Sequence, residues 1–322
     1  MENKKCNTTK ECHLTSIGGQ AVMEGVMMRG PKEIATAVRK SDGEIIVDKR
    51  PVSSILNKFK FLKLPIIRGV ISFFESMIVG VKCLMFSAEQ VDLEDGEEQM
   101  TKFEKWLDDK LGDKIKDIVI YFAVFVSLIF SIGLFMLLPH GISSLVKWAF
   151  KLEAPIVLNL LEGVIRITIF ILYIGLVGRM KDIRRVFEYH GAEHKSIACY
   201  EHGDELTPEN AKKYSRLHPR CGTNFLLVVM FISIISFSVI PWGSNPFLRI
   251  LYRLLLLPFV AGISYEIIKI MGRSNNKLVK ILTKPGLMLQ YLTTREPDEE
   301  QLEVAICALK NVMTGNKDDD KW

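Results

Sequence analysis

Long apolar stretches alternate with strongly charged segments along the chain of 322 residues. Four of these stretches predict membrane-spanning helices, at residues 118–138, 156–177, 225–240 and 247–270. The first contains no charged residue, and as a helix it is long enough to cross about 30 Å of hydrocarbon. The pattern therefore predicts a mainly α-helical fold, a polytopic membrane helix bundle with four spans.

Basic residues in the connections predict which side of the membrane each connection faces. Residues 179–224 contain nine lysines and arginines, whereas residues 139–155 contain two and residues 242–246 contain none. Because cytoplasmic loops are enriched in lysine and arginine, the basic connection and both chain ends are predicted to lie inside. The expected location is the cell membrane, with the bulk of the non-membrane part in the cytoplasm.

The region before the first span combines strand and helix signals. Residues 33–52 predict two short strands around Asp42-Gly43, a strong β-hairpin signal. The preceding segment, GGQAVMEGVMMRG, has closely spaced glycines, which indicate tight turns or a close approach of the backbone. Residues 64–88 are apolar but interrupted by charges, which favours an amphipathic helix lying on the membrane or against the bundle. A fifth span is the alternative.

These signals divide the chain into three regions. Residues 1–117 are predicted to be a cytoplasmic N-terminal region with the β-hairpin and the amphipathic helix. Residues 118–270 form the four-span membrane domain, whose basic, histidine-rich cytoplasmic loop is 179–224. Residues 271–322 form a cytoplasmic C-terminal segment, in which Pro297 is predicted to start a helix with one apolar face. The segment ends in a solvated KDDDK tail. The parts outside the membrane together predict a small α+β cytoplasmic head.

Composition excludes some classes of partner. The net charge of +5 is modest, and basic residues lie beside the apolar stretches, as expected of a protein facing anionic lipid. No basic helix or aromatic-basic platform indicates nucleic-acid binding. A second copy of the chain or another membrane protein remains open as a protein partner.

The sequence His190-Gly191-Ala192-Glu193-His194 is the sharpest chemical signal. In a continuous helix the two histidines lie one turn apart on one face, where two imidazoles suit one zinc ion. Glu193 is then the expected general base, and H-x-x-E-H is also the motif of inverted zinc peptidases. Gly191 weighs against the helical geometry. The alternative is that both histidines only hydrogen-bond backbone carbonyls.

A second cluster of candidate ligands lies in Leu217-His218-Pro219-Arg220-Cys221-Gly222, just before the third span. His218 and Cys221 are candidate metal ligands, held in a turn by the proline and the glycine. Alternatively, His218 caps the following helix and Cys221 packs as a small hydrophobe. Glu24 and Glu266 are carboxylates that would support a site, and Glu266 is costly in a span unless it has a partner.

Several motifs together resemble one known family. The segments GGQAVMEGVMMRGP, YHGAEHK, HPRCGTNF and PGLMLQYLTTREP resemble the YqhQ family of bacterial membrane proteins of unknown function, which are predicted from motif content to be metal-dependent enzymes. The resemblance extends from about residue 16 to residue 312. It implies a metal role for the residues His190, Glu193, His194, His218 and Cys221. The rest of the chain does not resemble the inverted zinc peptidases.

Three arginines extend the predicted site. The segment containing Glu24, the central loop and residues 285–297 are all predicted to face the cytoplasm, where they would converge. Arg29, Arg220 and Arg295 would then bind an anionic group through paired hydrogen bonds.

The function hypothesis is a membrane-embedded, metal-dependent hydrolase acting at the cytoplasmic membrane face on a lipid-linked or membrane substrate. Its cofactor is a divalent metal ion, with zinc expected. One alternative is a transporter or lipid-handling protein whose pathway is lined by the charged residues of the spans, Glu162, Arg166, Arg253 and Glu266. Another is a membrane regulator with a structural metal site.

Overall fold

The computed structural model describes residues 13–57, 59–91, 114–238, 245–273, 276–316 and 318–321. The strands are β1 Gly18–Val22, β2 Gly25–Arg29, β3 Glu33–Arg39 and β4 Ile45–Pro51. The first helices are α1 Ile67–Gln90, α2 Lys114–Ile132, α3 Leu138–Phe150, α4 Pro155–Val177 and α5 Lys181–Glu201. They are followed by α6 Pro208–Ala211, α7 Gly222–Ser238, α8 Pro246–Arg273, α9 Lys277–Thr293 and α10 Glu299–Val312. A mainly helical fold with an N-terminal sheet is confirmed.

The four strands form one antiparallel sheet in the order β1-β2-β3-β4. The predicted hairpin is confirmed, because β3 pairs with β4 and Gly43 adopts a φ of 87° in the connection. The glycine-rich segment forms two further strands, which the sequence did not predict. Their turn places Glu24 in the left-handed region, at a φ of 47°. Strands of five residues that contain glycine have a weak sequence signal, since glycine is disfavoured in strands.

Alternate side chains of the sheet enter two different cores, as expected for a period of two. Val26 and Met28 pack with residues of α5 and α10, including Tyr189 and Leu302. Met27, Ile34 and Val38 are in the opposite core, which contains Cys83 of α1. Burying one large apolar side chain stabilises the fold by about 1.5–3 kcal/mol, so the two cores hold helices against both faces of the sheet.

Helix α10 confirms the amphipathic helix predicted after Pro297. Asp298 accepts a hydrogen bond from the Gln301 N–H at 2.8 Å, and the Gln301 side chain accepts one from the Asp298 N–H at 3.1 Å. This capping box satisfies amide groups that the first helical turn leaves without partners. The predicted solvated tail is wrong at Asp320, which is 1% exposed and accepts hydrogen bonds from the hydroxyls of Thr15 and Tyr200.

Among the described residues, four helices are long and apolar enough to cross a membrane, at Ile67–Gln90, Phe122–Phe150, Pro155–Val177 and Leu248–Met271. They are not the predicted four. The third predicted span corresponds to α7, which has 17 described residues, and residues 239–240 of that prediction lie outside the described residues. Helix α1 is long and apolar enough instead, and two of the charged residues that interrupt its apolar pattern have partners. Arg68 pairs with Glu266, and Glu75 accepts hydrogen bonds from Ser54.

The connection predicted at 139–155 is mostly helical. Residues 133–137 form a π-helical segment between α2 and α3, and Pro139 lies in the first turn of α3. Proline is tolerated in a first turn, where its missing N–H would have no helical acceptor. Helical structure therefore continues through Pro139 to Phe150. Lys151, which has a φ of 52°, follows the end of α3.

The chain divides into two compact units. The first comprises residues 1–92, 173–236 and 253–322, and so contains the sheet, α5 and α10. The second comprises residues 93–172 and 237–252. Within the second unit, Arg166 donates to Glu162 at 3.0 Å, the ion pair that a spacing of four residues allows on one helix.

Candidate metal site

Helix α5 places three candidate residues on one face. It is continuous through Gly191, so His190, Glu193 and His194 lie at positions i, i+3 and i+4. Gly191 is required because a Cβ atom there would lie 2.0 Å from the backbone oxygen of Arg295. The glycine that weighed against a helix in the sequence is instead the position at which another segment packs closely against it.

Both imidazoles are fixed by backbone carbonyl groups. His190 Nδ1 lies 2.9 Å from the oxygen of Thr293, and His194 Nδ1 lies 2.5 Å from the oxygen of Arg216. A carbonyl oxygen only accepts hydrogen bonds, so each Nδ1 carries the proton and each Nε2 presents a lone pair. Metal-binding histidines are commonly oriented in this way. The sequence left two alternatives for these histidines, metal binding and hydrogen bonding to carbonyl groups. The two are compatible, because they use different ring nitrogens.

Cys221 joins the two histidines from the loop before α7. Its Sγ lies 3.2 Å from His190 Nε2, and one ligand atom from each of His190, His194 and Cys221 lies within 4.8 Å of the others. The Thr223 N–H donates to the sulfur at 3.3 Å. His194 Nε2 is buried and forms no hydrogen bond with the described residues. The donor set of two imidazoles and one thiol suits zinc.

Electrostatics favours the protonation states that metal binding needs. Burial, reinforced by His190, lowers the pKa of His194 and keeps its imidazole neutral. Burial alone would raise the pKa of Cys221, but the proximity of His194 and the contacts with Thr223 lower it overall. A neutral imidazole and a readily ionised thiol are the forms that ligate a metal.

Glu193 is held by the sheet. Its Oε1 accepts a hydrogen bond from the Gly19 N–H at 3.0 Å, while Oε2 is buried without a hydrogen bond to the described residues. Burial raises the pKa of Glu193 to about 7. A Cβ atom at Gly19 would lie 2.4 Å from the Met27 oxygen and 3.0 Å from Glu193 Cδ. The glycines predicted a close approach of the backbone, and at Gly19 this approach brings the backbone N–H to the Glu193 carboxylate.

His218 lies next to the cluster but is engaged elsewhere. Its ring centroid is 5.5 Å from that of His194, and its Nε2 is 3.6 Å from Glu201 Oε2. Gln290 bonds both the N–H and the carbonyl of His218, each at 2.8 Å. Arg220 also pairs with Glu201. His218 therefore anchors the loop that carries Cys221, in a different environment from the three clustered ligands.

Glu201 and Gln290 were not predicted as site residues. Glu201 follows His194 by seven residues, which places both on one face of α5, and this spacing was an available signal. Gln290 lies in α9, which is distant in sequence, and no local pattern indicates its contact with His218.

Three of the remaining predicted residues, Glu24, Glu266 and Arg295, lie outside the cavity. Glu24 pairs with Arg185 and accepts a hydrogen bond from the Tyr189 hydroxyl at 3.3 Å, and Glu266 pairs with Arg68. Neither carboxylate nor Arg295 lines the cavity described below. Arg295 instead contacts α5 through its backbone, donating its N–H to the Phe187 oxygen at 2.8 Å.

A cavity of about 260 Å³ opens beside the cluster. Its polar wall is formed by Glu193, His194, His218, Cys221 and the two arginines Arg29 and Arg220. Ser76 and Val79 of α1 also line it. The cavity thus brings together residues from the sheet, α1, α5 and the loop before α7, and a small ligand can contact the clustered residues.

Fold and site together define a class of protein with several membrane-length apolar helices and a compact α+β part carrying a His-His-Cys cluster. The chain belongs to the family described as "Protein of unknown function (DUF1385)", whose profile matches residues 64–315. It is 36% identical over 304 residues to "Uncharacterized protein YqhQ" of Bacillus subtilis (strain 168), covering 92% of each chain. No solved structure matches. The resemblance inferred from the motifs is confirmed.

Proposed function

We propose that this protein is a membrane-embedded, metal-dependent hydrolase in which His190, His194 and Cys221 bind a divalent metal ion, with zinc expected. One observation carries the proposal: two imidazoles and a thiol converge beside a buried carboxylate at a cavity. Both imidazoles are already oriented by carbonyl groups. Three protein ligands are typical of catalytic zinc sites, whereas structural sites are closed by four.

The residues have separate roles in the proposed reaction. A zinc ion bound there would supply a Lewis acid that makes water more acidic. Glu193 accepts the proton of the attacking water at Oε2, and a pKa of about 7 suits proton transfer near neutral pH. The Gly19 N–H holds the other carboxylate oxygen in place.

The apolar helices support a location in the cell membrane. Large apolar side chains on α2, α3 and the following helix are exposed, for example Phe122 at 65% and Trp148 at 80%. Such surfaces favour lipid as their surroundings. With the basic residues of 179–224 on the cytoplasmic side, the cluster lies at the cytoplasmic membrane face, and the substrate is a lipid-linked or membrane molecule.

Metal content of the purified full-length protein tests the ligand assignment. Mass spectrometry is expected to find close to one zinc ion per chain in the wild type and almost none in His194→Ala or Cys221→Ser. His202→Ala is the matched control, because His202 lies at the end of the same helix and bonds the Ala198 oxygen. Zinc retained in both ligand variants, or absent from folded wild type, contradicts the assignment.

Glu193→Gln tests catalysis separately from binding. The variant is expected to retain zinc and to lose about 10²–10⁴-fold in turnover, the usual contribution of a general base. Turnover is measured by mass spectrometry of products released from bacterial membrane lipid extracts. Loss of zinc in this variant would make Glu193 a ligand, and unchanged turnover would remove its role as base.

A further inference from the structure

Arg29 lines the cavity without a charged partner. It ends β2 on the same face as Met27, and both side chains line the cavity. Among the described residues, the Arg29 guanidinium takes part in no hydrogen bond or ion pair. Its partial burial removes some water without supplying a counter-charge. A guanidinium in this position attracts an anion and binds a phosphate or carboxylate with paired hydrogen bonds.

The other two arginines of the sequence hypothesis do not offer a free guanidinium to this cavity. Arg220 lines the same cavity but pairs with Glu201, which also accepts the Thr15 N–H at 2.8 Å. Arg295 does not line the cavity. The structure therefore narrows three candidate anion-binding residues to Arg29.

Helix α1 forms a wall of the cavity at which the cavity opens to the surface. Ser76 of α1 lines the cavity and is itself exposed. Phe73 and Met77 lie beside it on the same helical face, 37% and 50% exposed. The apolar surface continues along the same side of α1 to Leu84, which follows Met77 by seven residues and is 38% exposed. A molecule entering beside Ser76 contacts apolar side chains outside the cavity and charged or polar side chains inside it.

The size of the cavity limits which part of a ligand it holds. At about 260 Å³, it is smaller than most small-molecule pockets, which span roughly 300–1,000 Å³. A head group fits, whereas long hydrocarbon chains must lie outside, against the exposed face of α1.

We infer that Arg29 binds the phosphate or carboxylate group of an amphiphilic substrate whose apolar part lies along α1. The inference rests on the proposed function in taking this cavity as the substrate site, and it adds the chemical class of the substrate and the residue that selects it. Arg29 binds the substrate, whereas the proton transfer is assigned to Glu193.

Calorimetric titration of the full-length protein in a maltoside detergent tests this inference with three probes. They are dihexanoyl phosphatidic acid, dihexanoyl phosphatidylcholine and inorganic phosphate. Phosphatidic acid is expected to bind most tightly, and Arg29→Gln is expected to weaken it about tenfold or more, as loss of a charge-assisted pair implies. Arg50→Gln is the matched control, because Arg50 belongs to the same sheet but pairs with Asp48 at 2.6 Å.

Two further variants keep the test decisive. Arg29→Lys keeps the charge but loses the paired geometry, and is expected to bind with intermediate affinity, which also shows that position 29 tolerates substitution. Ser76→Phe narrows the opening and is expected to weaken phosphatidic acid more than inorganic phosphate. Equal affinity of wild type and Arg29→Gln for phosphatidic acid overturns the inference. Inorganic phosphate binding as tightly as phosphatidic acid overturns its amphiphilic part.

Zinc content of the same samples separates the two proposals. Arg29-dependent binding in a protein without zinc would refute the proposed hydrolase and leave the anion site standing. Stoichiometric zinc without Arg29-dependent binding would refute the anion site alone.

Discussion

Two buried polar clusters in this chain differ in how their polar atoms are satisfied. In the unit that contains the sheet, His194 Nε2 and Glu193 Oε2 are buried without hydrogen bonds to the described residues. In the other unit, the carboxylate of Glu162 lies 3.0 Å from Arg166 and 3.8 Å from Arg249. Since a buried polar group costs free energy unless it is paired, the first cluster is suited to a ligand, whereas the second holds its carboxylate between two guanidinium groups.

The difference shows that buried charge alone does not indicate function. Glu162, Arg166 and Glu266 are the residues that a transport pathway would use, yet each has a charged partner that explains its presence in an apolar helix. The histidines and Cys221 have oriented lone pairs or a reactive sulfur at a cavity instead. Four predictions test this contrast, from the largest expected effect to the smallest.

Removing the shared carboxylate tests the second cluster. Glu162→Leu leaves Arg166 and Arg249 buried without it and is expected to lower the free energy of unfolding by about 3–5 kcal/mol. Denaturant titration in mixed micelles measures the change. The exposed Glu153→Gln serves as control and is expected to stay within about 0.5 kcal/mol of wild type. Wild-type stability of Glu162→Leu would show that the cluster is dispensable.

Crowding α5 tests the cluster that carries the oriented histidines. Gly191→Ala forces a Cβ against the Arg295 oxygen and is expected to cost about 1–3 kcal/mol, as overpacking does. Zinc affinity is expected to fall as well, because the shift separates His190 from Thr293. Gly175→Ala is the control, since nothing lies within 4 Å of its added carbon. A stable variant with wild-type zinc affinity would contradict the required close approach.

Asp320, in the unit that contains the sheet, is also a buried carboxylate with partners. Asp320→Asn keeps the shape but loses the charge that accepts from Thr15 and Tyr200, each at 2.9 Å, and is expected to cost about 1 kcal/mol. Thermal unfolding measures this, and zinc content is expected to remain unchanged. The exposed Asp318→Asn provides the comparison. Zinc loss in Asp320→Asn alone would link this group to the site.

Metal removal is expected to expose one thiol selectively. Chelation of zinc should accelerate alkylation of Cys221 a few-fold, because the metal shields its sulfur. Cys199 should remain slow with or without chelator, since burial raises its pKa to about 11. Peptide mass spectrometry quantifies both sites. Identical Cys221 rates in the two conditions would argue against metal ligation by this thiol.

Local patterns predicted much of the fold. Asp42-Gly43 indicated the β3–β4 hairpin, the apolar periodicity after Pro297 indicated α10, and apolar length indicated three of the four membrane-length helices. Local patterns described two regions less well: α1 is apolar enough to span despite its charges, and the chain is helical through Pro139. Arg68 and Glu75 interrupt the apolar pattern of α1, but each has a partner outside it.

The sequence predicted the part of the site that lies on α5, but not the contacts between α5 and distant segments. The spacing of His190, Glu193 and His194 determines that they share a helical face, because 3.6 residues per turn is a property of the backbone.

The sequence by itself determined the helical face, the hairpin and the amphipathic helix, since each depends on contacts within a few residues. Only the tertiary structure decided that Cys221 joins the histidines while His218 binds Gln290, and that Arg220 is paired while Arg29 is not. These outcomes depend on which distant side chains meet, and such long-range packing leaves no periodic signal along the chain.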